Sequence, residues 1–384
     1  MKISICFFLP CLCAGMLWPS MVFSTMVDPA TPTNAMPVSG GTNWVLTFSD
    51  EFNTNALDTS KWEIDVSSSS RSARADRGIA DWWWVAGNVS LDGSNLVLTV
   101  SKHDANTMYA GSISSDGIYE PKYGYLEARV QIADSTKDTH TAFWLQGANM
   151  GNVDGTGNDG AEVDIFESAW FGDYTKSVVH IDGYAADHQA STVQYTTPNL
   201  HTGYHVFGLE WDAHEMKIYY DGVHKVTYTG KWVPQTNEWI WLSNGASFGD
   251  IGTFTNEANG FLTSSKWDYV RVWQVDNYVP EFQSDPIVKP LAMVGEAYSN
   301  TLADVTMNRD LDPLTFSKLS GPTWLTVAAD GALTGLPASA DLGTNSWQVQ
   351  VVDGQGGDEQ RLACDRSQES MGSTLIGGGA AFKW

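Results

Sequence analysis

The segment Glu162-Val163-Asp164-Ile165-Phe166-Glu167 sets three carboxylic acids among three apolar residues. On a regular strand Glu162 and Asp164 share one face and Val163 and Ile165 the other, which leaves Glu167 on the wrong side. One extra residue taken up as a β-bulge near Ile165-Phe166 returns Glu167 to the face of Glu162. Like charges on one face destabilise a fold, so structure alone gives no reason for them. Cleavage of a glycosidic bond does give one. A retaining mechanism needs one carboxylate as nucleophile and one carboxylic acid to protonate the leaving oxygen, about 5–5.5 Å apart. At strand rise the two glutamate Cα atoms lie roughly 13 Å apart, so both side chains must be long and lean together. Asp164 between them is placed to share a hydrogen bond with Glu162. Repulsion and partial burial then keep a proton on Glu167 while Glu162 stays charged. The competing reading is a calcium cluster, but calcium loops use short Asp/Asn/Gly spacing. Asp154-Gly155-Thr156-Gly157-Asn158-Asp159, just upstream, fits that pattern better and is itself a candidate metal loop.

Strands must carry these acids. From Trp44 to Val275 the chain offers short β-branched and aromatic runs separated by Gly, Asn, Asp and Ser. Examples are Trp44–Phe48, Leu96–Val100, Tyr125–Ile132, Ala142–Leu145, Val206–Trp211, Lys217–Tyr220 and Tyr269–Trp273. Asp92-Gly93 and Asp221-Gly222 are hairpin-turn dipeptides. No segment keeps a helical period, so the expected fold is all-β, a sandwich or barrel.

The domain plan follows. Residues 1–25 join Lys2 to an apolar run and small residues near Ser24, the pattern of a cleavable signal peptide and of a secreted, extracellular or periplasmic protein. Cys6, Cys11 and Cys13 fall inside it, leaving Cys364 alone and no intramolecular disulfide in the mature chain. Residues 40–276 form the main domain, 277–286 a proline-containing linker, 287–357 a small Ig-like sandwich anchored by Trp324, Leu325, Trp347 and Val349, and 358–384 an irregular tail. The formal net charge of −24 excludes a nucleic-acid partner, because such a chain repels phosphate. No membrane association is expected once the signal is removed, and the protein is read as a monomer.

The acid-bearing segment resembles the E-x-D-x-x-E active-site signature of glycoside hydrolase family 16, which includes laminarinases, lichenases, agarases and κ-carrageenases. Phe48-Ser49-Asp50-Glu51-Phe52-Asn53 with Trp62, Tyr123-Gly124-Tyr125-Leu126-Glu127-Ala128-Arg129, Ala142-Phe143-Trp144, Tyr204–Gly222 and Trp267–Trp273 extend the resemblance in the correct order. The resemblance implies a concave jelly-roll β-sandwich with an open cleft, and retaining endo-cleavage of a β-linked polysaccharide. That polysaccharide is a β-1,3(4)-glucan or an algal β-galactan such as agar or carrageenan. Glu162 would be the nucleophile, Asp164 the assisting acid and Glu167 the acid/base. The resemblance also makes Trp144 a stacking residue beside the nucleophile and gives His180 a site role. It brings a structural Ca2+ near Glu51 and Asp268 into view, while no cofactor is required. A non-catalytic lectin and a transglycosylase are the alternatives on the same fold.

Sugar rings have apolar faces, so a polysaccharide cleft needs aromatic side chains and a few polar groups. Trp82-Trp83-Trp84 cannot all face one core, and Trp83 and Trp84 are taken as substrate contacts. Arg71, Arg74 and Arg77 form a basic cluster in an acidic protein. Guanidinium groups there would bind sulfate or carboxylate on an anionic polymer.

Overall fold

The computed structural model describes residues 26–40, 44–275, 278–354 and 358–369. Residues 1–25, where the signal peptide is expected, lie outside them. Two antiparallel-dominated sheets make the body of the molecule. The outer, ten-stranded sheet runs in space from Val223–Thr229 through Glu215–Tyr220, His205–Trp211, Gly124–Gln131, Gly260–Gln274, Leu96–Lys102 and Thr107–Ala110 to Asp81–Trp84, with Val45–Asp50 and Val89–Leu91 attached. The inner, seven-stranded sheet is ordered Gln189–Thr196, Tyr174–Ile181, Glu162–Ser168, Thr139–Gly147, Glu238–Ala246, Ser112–Ser114, Glu63–Ile64. The helical elements among the described residues are three-residue 3-10 turns. The all-β expectation holds, and the two sheets pack as a jelly roll.

Alternation builds the sandwich. In Leu96–Lys102 the residues Leu96, Leu98 and Val100 are buried and their neighbours half-buried; Met216, Ile218 and Tyr220 repeat the pattern. The core between the sheets gathers Phe48, Trp62, Leu126, Phe143, Val163, Ile165, Phe166, Phe207 and Trp267. Phe166 of the inner sheet lies on Phe207 of the outer one, ring centroids 3.7 Å apart. The Asp221-Gly222 turn has both residues at positive φ, 47° and 76°, the left-handed pair that a tight hairpin requires.

Three boundaries differ from the sequence expectation. The sandwich reaches back before residue 40: Met26 accepts the Ser49 amide, and the Val38 amide donates to the buried Glu127 carboxylate at 3.0 Å. The expected linker 277–286 contains a short strand, Glu281–Phe282, paired with Thr306–Met307, and Phe282 is buried in the C-terminal core. Pro280 and Pro286 suggest a linker, but one aromatic side chain suffices to pin such a segment. The expected tail is regular as far as residue 369: Asp358–Glu369 pairs antiparallel with Gly343–Asp353. Ladder hydrogen bonds come from the backbone, so a strand forms there without side-chain alternation. This C-terminal unit has a five-stranded and a three-stranded sheet around Leu302, Phe316, Leu325, Leu333, Trp347 and Val349. It is tied to the sandwich where Arg309 donates to Asp212 at 2.9 Å and its carbonyl accepts the Ala213 amide.

Candidate active site

The acid-bearing strand is kinked where the sequence requires. Its register with Thr139–Gly147 runs Glu162 opposite Gln146, Asp164 opposite Trp144, then skips Ile165 and resumes with Phe166 opposite Phe143 and Glu167 opposite Ala142. The same break appears against Tyr174–Ile181, between Asp164 and Glu167. Ile165 and Phe166 are both fully buried. Glu162, Asp164 and Glu167 therefore all line one open cleft of about 1110 Å³.

Environment separates the acids. Burial raises Glu167 well above the usual carboxylate range, and the charges of Asp164 and Glu162 push it further; Lys176 and Arg74 oppose only in part. Burial also raises Glu162, but the Tyr184 hydroxyl that bonds its carboxylate, His180 and Arg71 all pull it back. Asp164 is buried and lies well above its ordinary value, from burial first and Glu162 second. At neutral pH this favours a charged Glu162 beside a protonated Glu167. One carboxylate oxygen each of Glu162 and Asp164 and a ring nitrogen of His180 lie within 4.8 Å of one another.

Around the acids stand aromatic and polar groups from both sheets. Trp144 lies parallel to Trp241 of the neighbouring strand and donates through Nε1 to Ser243 Oγ at 3.0 Å. Trp82 and Trp84 come in from the edge of the outer sheet, and the guanidinium of Arg71 sits 3.7 Å above the Trp84 ring and 4.9 Å above Trp82. Arg74 stands over Phe248. Asp65 is held by Ser112 and Ser114 at 2.7 and 3.0 Å, and burial pushes its carboxyl up to about 7.

Glu162, Asp164, Glu167, Trp144, Trp84, Arg71 and Arg74 thus meet in one cleft. His180 reaches the acids from the side, its Nε2 3.5 Å from Asp164 Oδ2. Two expected substrate contacts, Trp83 and Arg77, do not line the cleft. Trp83 points to the other side of its strand and Trp82 takes its place, as strand alternation demands. Arg77 is buried, donates to the Gly249 carbonyl and pairs with Asp76 and Asp138, so it supports the loop and does not line the cleft. At the two residues expected near a calcium, Arg271 grips Glu51 with two bonds of 2.9 and 2.8 Å, and Arg129 pairs with Asp268. Sequence reasoning missed Tyr184, Trp241, His140, Gln146, Phe248 and Asp65. Only Trp241 carried a local signal, the alternating Trp239-Ile240-Trp241-Leu242 run.

A β-sandwich whose open cleft presents two unequal glutamates defines a polysaccharide-cleaving class of protein, and the relatives agree. The model of "Glycosyl hydrolases family 16" matches residues 78–247. The chain is 31% identical over 205 residues to Beta-porphyranase E of Zobellia galactanivorans, covering 49% of this chain and 70% of that one. It is 27% identical over 288 residues to Glucan endo-1,3-beta-glucosidase A1 of Niallia circulans, 65% of this chain but only 40% of that longer protein. A solved structure from work on endo-acting O-glycanases of the human gut microbiota superposes with a TM-score of 0.51 at 20% identity, covering 64% of this chain and 94% of its own, a likeness of fold alone. The chain belongs to glycosyl hydrolases family 16 and is an O-glycosyl hydrolase.

Proposed function

We propose that this chain is a secreted, retaining, endo-acting β-glycanase whose substrate is an anionic algal β-galactan. The observation that carries the mechanism is the bulge that turns Glu162 and Glu167 to one cleft surface in unequal environments. Glu162 attacks the anomeric carbon while Glu167 gives its proton to the leaving oxygen. Glu167, now a base, then takes a proton from the water that releases the glycosyl ester. Asp164, buried beside Glu162, responds to the charge that Glu162 gives up on attack and regains on release. A cleft open along its length suits an internal segment of a polymer. The leader-like residues 1–25 support secretion, and the C-terminal unit is read as an Ig-like spacer.

Arg71 and Arg74 support the anionic substrate. They are the two guanidinium groups lining a cleft otherwise rich in acids, one facing Glu162 and the other Glu167. The porphyranase relative points the same way. A neutral β-1,3(4)-glucan is the second reading, favoured by the paired indoles of Trp144 and Trp241 and by the glucosidase relative. Laminarin, lichenan, agarose, porphyran and κ-carrageenan, each sized after digestion, separate the two. We expect oligosaccharides from a sulfated galactan, with the β-anomer of the new reducing end appearing first in the proton NMR spectrum. Digestion of laminarin alone, unaffected by Arg71→Met with Arg74→Met, would overturn the anionic substrate. An α-anomer appearing first would overturn retention.

A further inference from the structure

His180 stands directly across the sheet from Glu162, and its two ring nitrogens have different neighbours. Nε2 faces Asp164 Oδ2 at 3.5 Å, and that buried oxygen has no hydrogen-bond partner among the described residues. Nδ1 lies 2.8 Å from Nε2 of His188. The two imidazole centroids are 5.0 Å apart and their planes differ by 15°. That separation is one N···N hydrogen bond plus two ring radii, so the rings meet edge to edge, nearly coplanar, and not as a stack. His188 is delivered by a loop with a fixed base. Asp182, at φ 64°, accepts the amides of Asp154 and Gly155 at 3.0 and 2.9 Å, while Gly183 donates to the Met150 carbonyl. The same loop brings the Tyr184 hydroxyl to Glu162.

An imidazole–imidazole contact of this kind carries one proton between the two nitrogens. If His180 donates, its Nε2 lone pair is left facing a carboxylate oxygen. If His188 donates, His180 must carry its own proton on Nε2 and offer it to Asp164. The groups facing the pair decide between these. Glu162 and Asp164 from the acid-bearing strand both attract a proton on Nε2, the Tyr184 hydroxyl is spent on Glu162, and Ala190 across the edge strand adds no charge. We propose that His188 is a positioning residue: it donates to Nδ1 of His180, locks His180 in the Nε2–H form and so aims a donor at Asp164 and, through it, at the nucleophile. This rests on the hydrolase mechanism above, because it gives Asp164 a neutral donor from outside the strand, as the Tyr184 hydroxyl does for Glu162.

The test combines a direct readout with kinetics. Long-range proton–nitrogen NMR of the substrate-free, full-length protein labelled in histidine, with His180 assigned by difference from His180→Gln, should find its proton on Nε2. His188→Ala should mix or reverse that tautomer. It should also lower kcat roughly tenfold with KM within about twofold, the signature of lost orientation and not of lost binding. The acidic limb of kcat/KM should move to higher pH, since the donor that favours the ionised acids is gone. His188→Gln, whose amide can still donate, should restore tautomer, kcat and limb together. An unchanged tautomer and acidic limb in His188→Ala, or a His188→Gln as impaired as His188→Ala, would overturn the proposal. A wild-type protein that cleaves no polysaccharide yet keeps the Nε2–H form sinks the hydrolase mechanism and leaves the hydrogen-bonded line standing.

Discussion

Trp144 and Trp241 lie on adjacent strands with ring centroids 4.7 Å apart and planes only 8° from parallel. Trp144 is nearly buried and sits opposite Asp164, so Trp241, half-buried beside it, extends the indole surface along the cleft. Replacing Trp241 by Ala should raise KM for the polymer about fivefold, from loss of roughly 1 kcal/mol of ring contact, with kcat changed less. Initial-rate kinetics on the polymer and on short oligosaccharides check it. A Trp241→Ala protein with an unaltered KM would remove this surface from the binding path.

The acids can be assigned by chemical rescue. Glu162→Gly should lose about three or more orders of magnitude in kcat and recover with azide to give an α-glycosyl azide. Glu167→Ala with azide should give the β-glycosyl azide from an activated substrate. Exchanged product configurations would exchange the roles.

The pH profile should be bell-shaped. Glu162 must be ionised, and burial raises it, so the acidic limb should lie above the ordinary carboxylate range. Glu167 must be protonated and is raised well above its usual value, which places the alkaline limb higher still. Tyr184→Phe removes a hydrogen bond that lowers Glu162, so activity should fall more at pH 5 than at pH 7. An acidic limb that does not move would mean the hydroxyl does not serve Glu162.

Stability should decline with pH through one group remote from the cleft. Glu127 is fully buried, and burial pushes its carboxyl up to about 7 although Val38 and Tyr269 donate to it. Unfolded, it titrates near 4.3, so between roughly pH 4 and 7 the folded state binds more protons and stability is lost as pH rises, by about 4 kcal/mol at most. Glu127→Gln should flatten that slope and raise Tm more at pH 8 than at pH 5. Parallel Tm-against-pH curves for variant and wild type would contradict it.

Arg77 and Arg71, six residues apart on one loop, should part company. Arg77 is buried against Asp138, Asp76 and the Gly249 carbonyl, so Arg77→Met should destabilise the protein by about 3–5 kcal/mol. Its folded fraction should retain a normal KM. Arg71→Met should leave Tm nearly unchanged and weaken binding of a charged polymer. Thermal melts beside kinetics decide it, and a stable, KM-impaired Arg77→Met would return that residue to the cleft.

What could be read beforehand follows from range. The bulge was legible because it is a local count: two acids five residues apart can share a face only if one residue is extra. The strands, the hairpin turns and Trp144 were equally local. Strand alternation puts Trp82 and Trp84 on one side of Asp81–Trp84 and Trp83 on the other, a pattern readable from the triplet alone. Arg77 looked like Arg71 because nothing nearby in sequence reveals Gly249 and Asp138, more than 60 residues away. Tyr184 and His188 sit on a loop whose path is set by Asp182 bonding residues 28 and 27 positions earlier. The last strand was hidden because its pairing draws on main-chain groups.

The kink in the acid-bearing strand is clamped from behind. Turning Glu167 outward leaves Ile165 and Phe166 as successive inward side chains, and Phe166 is pressed onto Phe207 of the opposite sheet. The strand cannot straighten without drawing a phenyl ring out of the interior. The two glutamates therefore inherit their aim from an apolar contact that no sugar reaches, and a smaller residue at 207 would blur their alignment from the far side of the sheet.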